Sequence, residues 1–245
     1  MTAINERERY ARQISLPEIG KAGQKKLASS SVLLVGVGGL GSPAAFYLAA
    51  AGVANIGLMD PDAVETSNLQ RQILHFTPDV GRKKVTSAQD KLELLNPGAN
   101  IMVYPEKLTI KNAFRVLRGF DFIIDATDNF SAKFLIADAC HALKKPYSHA
   151  GILEFSGQTM TVIPGQTACY RCVFISPPKD AKISRGPLGA VPGVVGAIQA
   201  LEAIKFLLKA GALLTNRLLV FDALKMNFRE VAVRRNPRCP LCGRR

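Results

Sequence analysis

The run Gly36-Val-Gly38-Gly39-Leu-Gly41 has the glycine spacing that lets a backbone close on a phosphate, and Asp60 ends the next apolar segment. Phosphate binding of this kind needs bare N–H groups and a helix N-terminus with partial positive charge behind the loop. A carboxylate at the end of the second strand would accept hydrogen bonds from ribose hydroxyls, the role open to Asp60. Taken alone, the fingerprint points to a nicotinamide-dependent oxidoreductase. A purely structural glycine turn is the weaker reading, because strand, loop, helix and strand all surround it.

Cys169-x-x-Cys172 and Cys239-x-x-Cys242 are two thiolate hooks separated by a long insertion, the pattern of a tetrahedral zinc site. Disulfides compete with that reading, but the cytoplasmic address argued below disfavours them, and iron is the second choice of metal. A four-thiolate site leaves no open position for substrate, which predicts a structural role, tying the C-terminal tail back to the crossover region. Cys140 falls on an amphipathic segment, 132–143, where a small buried thiol is the usual reading. His75, His141 and His149 have neither metal-ligand spacing nor an obvious nucleophile partner, and read as structural.

Alternating segments must position these residues. Val32 to Val35 is β-branched and apolar, Gly36 to Gly41 is a turn, and Pro43 stands near the start of a helix that Gly52 ends. Asn55 to Asp60 reads as the second strand, Arg82 to Leu95 as an amphipathic helix stopped by Asn96-Pro97-Gly98, and Phe120 to Ala126 as another buried strand. Repetition of strand and helix up to about Ala150 predicts a Rossmann-like α/β sheet, parallel there, with helices on both faces. Gln158 to Ile163, Arg217 to Phe221 and Asn227 to Val233 predict shorter strands in mixed or antiparallel pairing. Ser176 to Gly193 reads as an exposed loop and Val194 to Leu208 as a largely buried helix.

With 245 residues and 48% hydrophobic content, the chain can bury the core of one α/β domain spanning 1–245. Its parts are an N-terminal helical segment 1–30, a nucleotide-binding half 31–150 and a second half 151–245. Gly or charge interrupts the apolar stretches before the ~18 residues of a membrane span, and charges occupy the N-terminus where a secretory signal would be apolar. A cytoplasmic protein is expected. Lys and Arg outnumber Asp and Glu by 32 to 19, with Arg234, Arg235, Arg238, Arg244 and Arg245 crowding one end. A nucleotide, an acidic protein face or nucleic acid would fit that excess, and so would a basic surface that only maintains solubility. Nucleic acid is the least expected partner.

Read together, Arg9-Tyr10-Ala11-Arg12-Gln13, the glycine loop, Ser67-Asn68-Leu69-Gln70-Arg71-Gln72, Ala126-Thr127-Asp128-Asn129 and the paired Cys-x-x-Cys resemble the ThiF/MoeB/HesA family. These are relatives of ubiquitin-activating enzymes, and the resemblance runs from about Arg9 to Cys242. It implies an ATP-dependent adenylyltransferase that activates the C-terminal Gly-Gly carboxylate of a ubiquitin-like sulfur carrier of the MoaD or ThiS kind. The resemblance further implies that Asp60 holds the ribose and that Asn68, Arg71 and Lys84 contact the triphosphate. Asp128, beside Asn129, would hold magnesium, and Arg12 would reach the nucleotide site of the partner in a homodimer. Adenylation of a peptide terminus or of a carboxylate on a tRNA base is the alternative within the family; an oxidoreductase is the alternative outside it.

The sequence departs from part of that family in one respect. Some relatives carry a cysteine in the crossover loop that links covalently to the carrier, whereas here 176–193 has none and Arg185 falls near its place. Adenylation is therefore expected without a covalent carrier adduct. No rhodanese segment follows the second hook, so a separate sulfurtransferase is the expected sulfur source, in molybdopterin, thiamine or another sulfur pathway.

Overall fold

β1 (Ser31–Val35) is buried along nearly its whole length, with Val32, Leu33 and Leu34 at 0% exposure, as befits a strand covered on both faces. The computed structural model describes residues 6–176 and 186–243. Before β1 come three short helices, α1 (Glu6–Arg9), α2 (Ala11–Ile14) and α3 (Gly20–Leu27). After it the chain runs through α4 (Gly41–Ala51), β2 (Asn55–Met59), α5 (Lys84–Leu95), β3 (Asn100–Tyr104), α6 (Ile110–Leu117), β4 (Phe122–Asp125) and α7 (Phe130–Leu143). The remaining elements are β5 (Tyr147–Leu153), β6 (Ser156–Val162), α8 (Tyr170–Val173), α9 (Ala190–Leu208), β7 (Arg217–Asp222) and β8 (Asn227–Ala232).

One eight-stranded sheet has the order β3-β2-β1-β4-β5-β6-β7-β8. β1 pairs in parallel with both β2 and β4, and β3 and β5 extend the parallel region outward. β5 through β8 pair antiparallel, so the predicted change of character falls at β5. The connections leave β1 in opposite directions, which opens a crevice outside the carboxyl ends of β1 and β4.

Helices cover both faces. On one side α3, α4, α5 and α9 enclose a core that includes Val32, Leu34, Leu48 and Ile56; on the other, α6, α7 and the cysteine hooks enclose Leu33, Val35 and Ile123. Leu48 is fully buried, and cutting such a side chain to Ala costs about 2–5 kcal/mol. Pro43 is accommodated in the first turn of α4, and Gly52 closes that helix in the left-handed conformation with φ of 85°.

Several expectations need correction. The predicted loop 176–193 is too long, because α9 starts at Ala190; Pro192 lies in its first turn, where a missing N–H breaks no helical bond. Arg185 lies outside the described residues. β3 and α6 were not foreseen: β3 buries Ile101 and little else, and α6 leaves Ile110 81% and Phe114 43% exposed. α9 is itself long and apolar enough, by length and composition, to cross a membrane, and half of it is buried within the fold. Its Glu202 is enclosed and accepts hydrogen bonds from Thr161 Oγ1 and the Leu214 amide, each at 2.6 Å.

Candidate functional site

The crevice is a cleft of about 760 Å³ that runs from the glycine loop across the carboxyl ends of β1 and β4 to β5 and β6. Gly38 and Gly39 line it, whereas Gly41 does not. A Cβ on Gly41 would lie 2.2 Å from the Gly36 carbonyl oxygen, so this glycine permits close packing of α4 under the loop. Gly36 lines the cleft with φ of 98°, and a Cβ there would meet the Ala126 carbonyl at 2.5 Å.

Asp60 is buried at the end of β2 and braces the loop, its Oδ2 accepting the Val37 amide at 2.8 Å and its Oδ1 the Asp62 amide at 3.0 Å. Each carboxylate oxygen retains a second lone pair for a ligand hydroxyl. From the other side, His75 Nε2 lies 3.0 Å from the Val37 carbonyl while its Nδ1 meets Ser87 Oγ at 2.9 Å. Burial lowers the pKa of His75, so the ring is neutral, with Nε2–H donating to the carbonyl and Nδ1 accepting.

Arg71 and Lys84 supply positive charge to the lining. Lys84 begins α5, is buried, and pairs with Asp62 at 3.0 Å; Arg71 is anchored by donating to the Ser67 carbonyl at 3.0 Å. Asn68 does not line the cleft. It is buried, and its carbonyl accepts the amides of Arg71 at 3.1 Å and Gln72 at 3.0 Å, so it shapes the turn that presents Arg71.

Asp128 and Asn129 follow β4 and both line the cleft. Asn129 is the cap of α7, its side chain accepting the Ala132 amide at 2.9 Å. The cap duty leaves Asp128 exposed, and its one hydrogen bond among the described residues comes from Asn129 at 3.4 Å. An exposed carboxylate lining this cleft suits magnesium, which is usually held by one or two carboxylates plus substrate phosphates. Arg12 lies elsewhere, exposed on α2 and outside the cleft of its own chain.

The four cysteines converge. Sγ atoms of Cys169 and Cys172 lie 3.8 Å apart, those of Cys169 and Cys239 3.5 Å, and those of Cys172 and Cys242 3.4 Å. A tetrahedron with Zn–S bonds of about 2.3 Å has S···S edges of about 3.8 Å, so the cluster fits such an ion with little adjustment. The Asn236 amide donates to Cys172 Sγ at 3.4 Å, the kind of outer contact that steadies a thiolate ligand. Burial and the thiols of Cys242 and Cys239 push Cys169 up, a strain that a bound cation would relieve.

A second charged group was not foreseen. Asp125, at the end of β4, is 1% exposed and faces Lys133 Nζ at 3.3 Å and His149 Nδ1 at 3.0 Å. Thr127 adds hydrogen bonds from its amide, at 3.1 Å, and its hydroxyl, at 2.7 Å. Burial pushes the Asp125 carboxyl up, but Lys133, His149 and Thr127 outweigh it and bring its pKa down to about 2. Lys133 and His149 both line the cleft. The signal was the acid at the end of a buried strand; its partner His149 stands opposite it only through the register of β4 and β5.

The ThiF family model matches residues 10–241 of the chain. The chain belongs to the ThiF family. Among ThiF-related proteins, the sulfur carrier protein adenylyltransferase of Thermus thermophilus is 44% identical over 97% of this chain and 91% of its own length. The adenylyltransferase and sulfurtransferase MOCS3 of Anopheles gambiae is 45% identical over 99% of this chain, which spans only 57% of that protein. The crystal structure of E. coli MccB superposes with a TM-score of 0.85 at 23% identity, over 98% of this chain and 74% of that one. That last likeness concerns the fold alone.

Proposed function

We propose that this ThiF-family chain is an ATP-dependent adenylyltransferase that activates the C-terminal carboxylate of a ubiquitin-like sulfur carrier ending in Gly-Gly. One observation carries the reading: a single cleft joins a nucleotide half, built from the glycine loop, Asp60 and Asp128, to a second half floored by Gly151 and Gly157. A nucleotide alone would not need the second half, and glycine backbone leaves room for a narrow tail.

The chemistry requires two anions to meet. A C-terminal carboxylate has a pKa of roughly 3.5 and needs no general base. One of its oxygens attacks the α-phosphorus of ATP, the bond from that phosphorus to the β-phosphate oxygen breaks, and pyrophosphate leaves with the electron pair. Asp60 holds the ribose, Arg71 and Lys84 neutralise the phosphates, and Asn68 and Asn129 shape the loops around them. Asp128 would hold magnesium, which when bound offsets charge on the departing pyrophosphate. Cys169, Cys172, Cys239 and Cys242 would hold a structural zinc ion.

The functional unit is a homodimer in this reading, with Arg12 serving the nucleotide site of a second copy. An apolar groove beside α2, lined by Tyr47, Ala197, Leu201 and Ile204, supports this, since Tyr47 is 58% and Leu201 52% exposed. We further place the enzyme in the cytoplasm, treat 1–245 as one adenylation domain, and assign sulfur delivery to a separate sulfurtransferase in a molybdopterin or thiamine pathway. Exchange of labelled pyrophosphate into ATP tests the central claim. Exchange that requires a Gly-Gly carrier supports it, and exchange indifferent to the carrier sinks it.

A further inference from the structure

The buried cluster at the ends of β4 and β5 has an open end. His149 is 1% exposed and its Nδ1 lies 3.0 Å from Asp125 Oδ2, an atom that can only accept while the carboxyl is ionised. Nδ1 therefore carries the proton, and the neutral ring keeps a lone pair on Nε2. That atom is buried and has no hydrogen-bond partner among the described residues. Tyr170 repeats the pattern: it is 1% exposed, its hydroxyl is buried and unpartnered, and its ring centroid lies 4.5 Å from that of His149. Both rings line the cleft. Buried polar atoms left without partners are costly, and two of them on neighbouring side chains that line one cavity mark a place where a ligand can supply the missing bonds.

Their position says which ligand. His149 stands opposite Asp125 on β5, and Asp125 stands opposite Val35, the last residue of β1. The glycine loop and Asp60 lie over β1 and β2, so His149 is on the far side of β4 from the nucleotide half. What reaches it is the other substrate. In an extended tail the N–H and C=O of one residue point to the same side, so one acceptor, Nε2, beside one hydroxyl that can donate matches a single tail residue.

We propose that His149 Nε2 and the Tyr170 hydroxyl read one residue of the incoming, extended C-terminal tail, His149 accepting its N–H and Tyr170 donating to its carbonyl. This rests on the functional reading above. Asp125 and Lys133 act through His149, fixing the tautomer that leaves Nε2 free to accept. The pair sets tail affinity and register, and takes no part in bond breaking at phosphorus.

The test uses pyrophosphate exchange with a semisynthetic ubiquitin-like carrier ending in Gly-Gly, alongside copies in which sarcosine replaces the last or the penultimate glycine. For the unaltered enzyme, one of the two N-methylated carriers should show a KM raised about tenfold, the loss expected for one buried hydrogen bond, with the KM for ATP unchanged. In His149→Leu that methylation penalty should vanish. Tyr170→Phe, which removes only an oxygen, should raise the carrier KM several-fold and leave kcat unaltered. If neither methylated carrier is penalised, if the penalty persists in His149→Leu, or if Tyr170→Phe has the original carrier KM, the inference is overturned. Absence of exchange with the unmodified carrier would instead remove the functional reading itself. Should His149→Leu not fold, the Nε2 resonance of ¹⁵N-labelled His149 decides the matter: the carrier should shift it, and an unmoved signal overturns the assignment.

Discussion

The Oδ2 atom of Asp60 accepts the amide of Val37 at 2.8 Å, so a carboxylate that lines the cleft also sets the height of the glycine loop. Asp60→Ala should therefore act twice. We expect the apparent KM for ATP to rise about tenfold and stability to fall by about 1–3 kcal/mol, since one buried and one half-buried amide contact are lost. Exchange kinetics against ATP concentration and a urea melt measure both. A fall in turnover at unchanged KM would contradict this placement.

Asp128 and its neighbour divide their labour. Asp128→Asn should abolish exchange while moving stability by less than about 0.5 kcal/mol, because the side chain is exposed and caps nothing. Asn129→Ala should cost about 1 kcal/mol through the lost cap on α7. Thermal melts of the two variants separate these effects, and full exchange activity in Asp128→Asn would remove its assigned role.

The metal is testable without an activity assay. Elemental analysis should find about one zinc per chain, and Cys169→Ser should lose it together with some stability. The loss will fall short of that in zinc-finger peptides, on the order of 10 kcal/mol, because two separate cores remain. A purified protein with neither zinc nor iron would end the idea.

Arg12 can be examined by complementation. Arg12→Ala and Asp128→Asn should each be nearly inactive, yet after subunit exchange a mixed dimer would hold one site with both groups intact. Statistical mixing predicts recovery toward about a quarter of the original activity. Confirmed exchange with no recovery would show that Arg12 does not act in trans.

Acid should destabilise the fold in a defined order. Burial lowers the pKa of His75 and His149 from their ordinary value of 6.5, so the unfolded chain binds more protons just below that pH. Stability is thus complete above about 6.5 and declines as pH falls from there. Asp125, at about 2 in the fold against 3.8 ordinarily, adds a further loss between those values. A melting temperature that stays level from pH 8 to 5 would contradict the buried, neutral histidines.

Much of this was legible in the sequence where chemistry is local. The strand, glycine loop and helix around Gly36 were readable from spacing, as were the thiol hooks, because each motif is contiguous. Asp60 was readable because it ends an apolar run. Which residue caps α7 depends on the backbone entering the helix, and there Asn129 rather than Asp128 takes the place. His149 looked structural because its partner Asp125 lies 24 residues away, brought close by strand register that no local pattern records. Asn68, expected at the triphosphate, is buried beside the cleft, where its main-chain carbonyl accepts the amides of Arg71 and Gln72 and its side-chain amide donates to Ser67 Oγ.

The glycine fingerprint, one motif in the sequence, divides in space into two pairs. Side chains at Gly36 or Gly41 would collide with backbone, at 2.5 and 2.2 Å, whereas at Gly38 and Gly39 the nearest atoms they would meet belong to the side chains of Gln72 and Pro192, at 3.4 and 3.2 Å. Selection for folding alone would preserve the first pair, and selection for a ligand is needed to preserve the second. In a descendant that abandoned nucleotides, drift would erase Gly38 and Gly39 first and leave Gly36 and Gly41 behind as a vestige of ancestry.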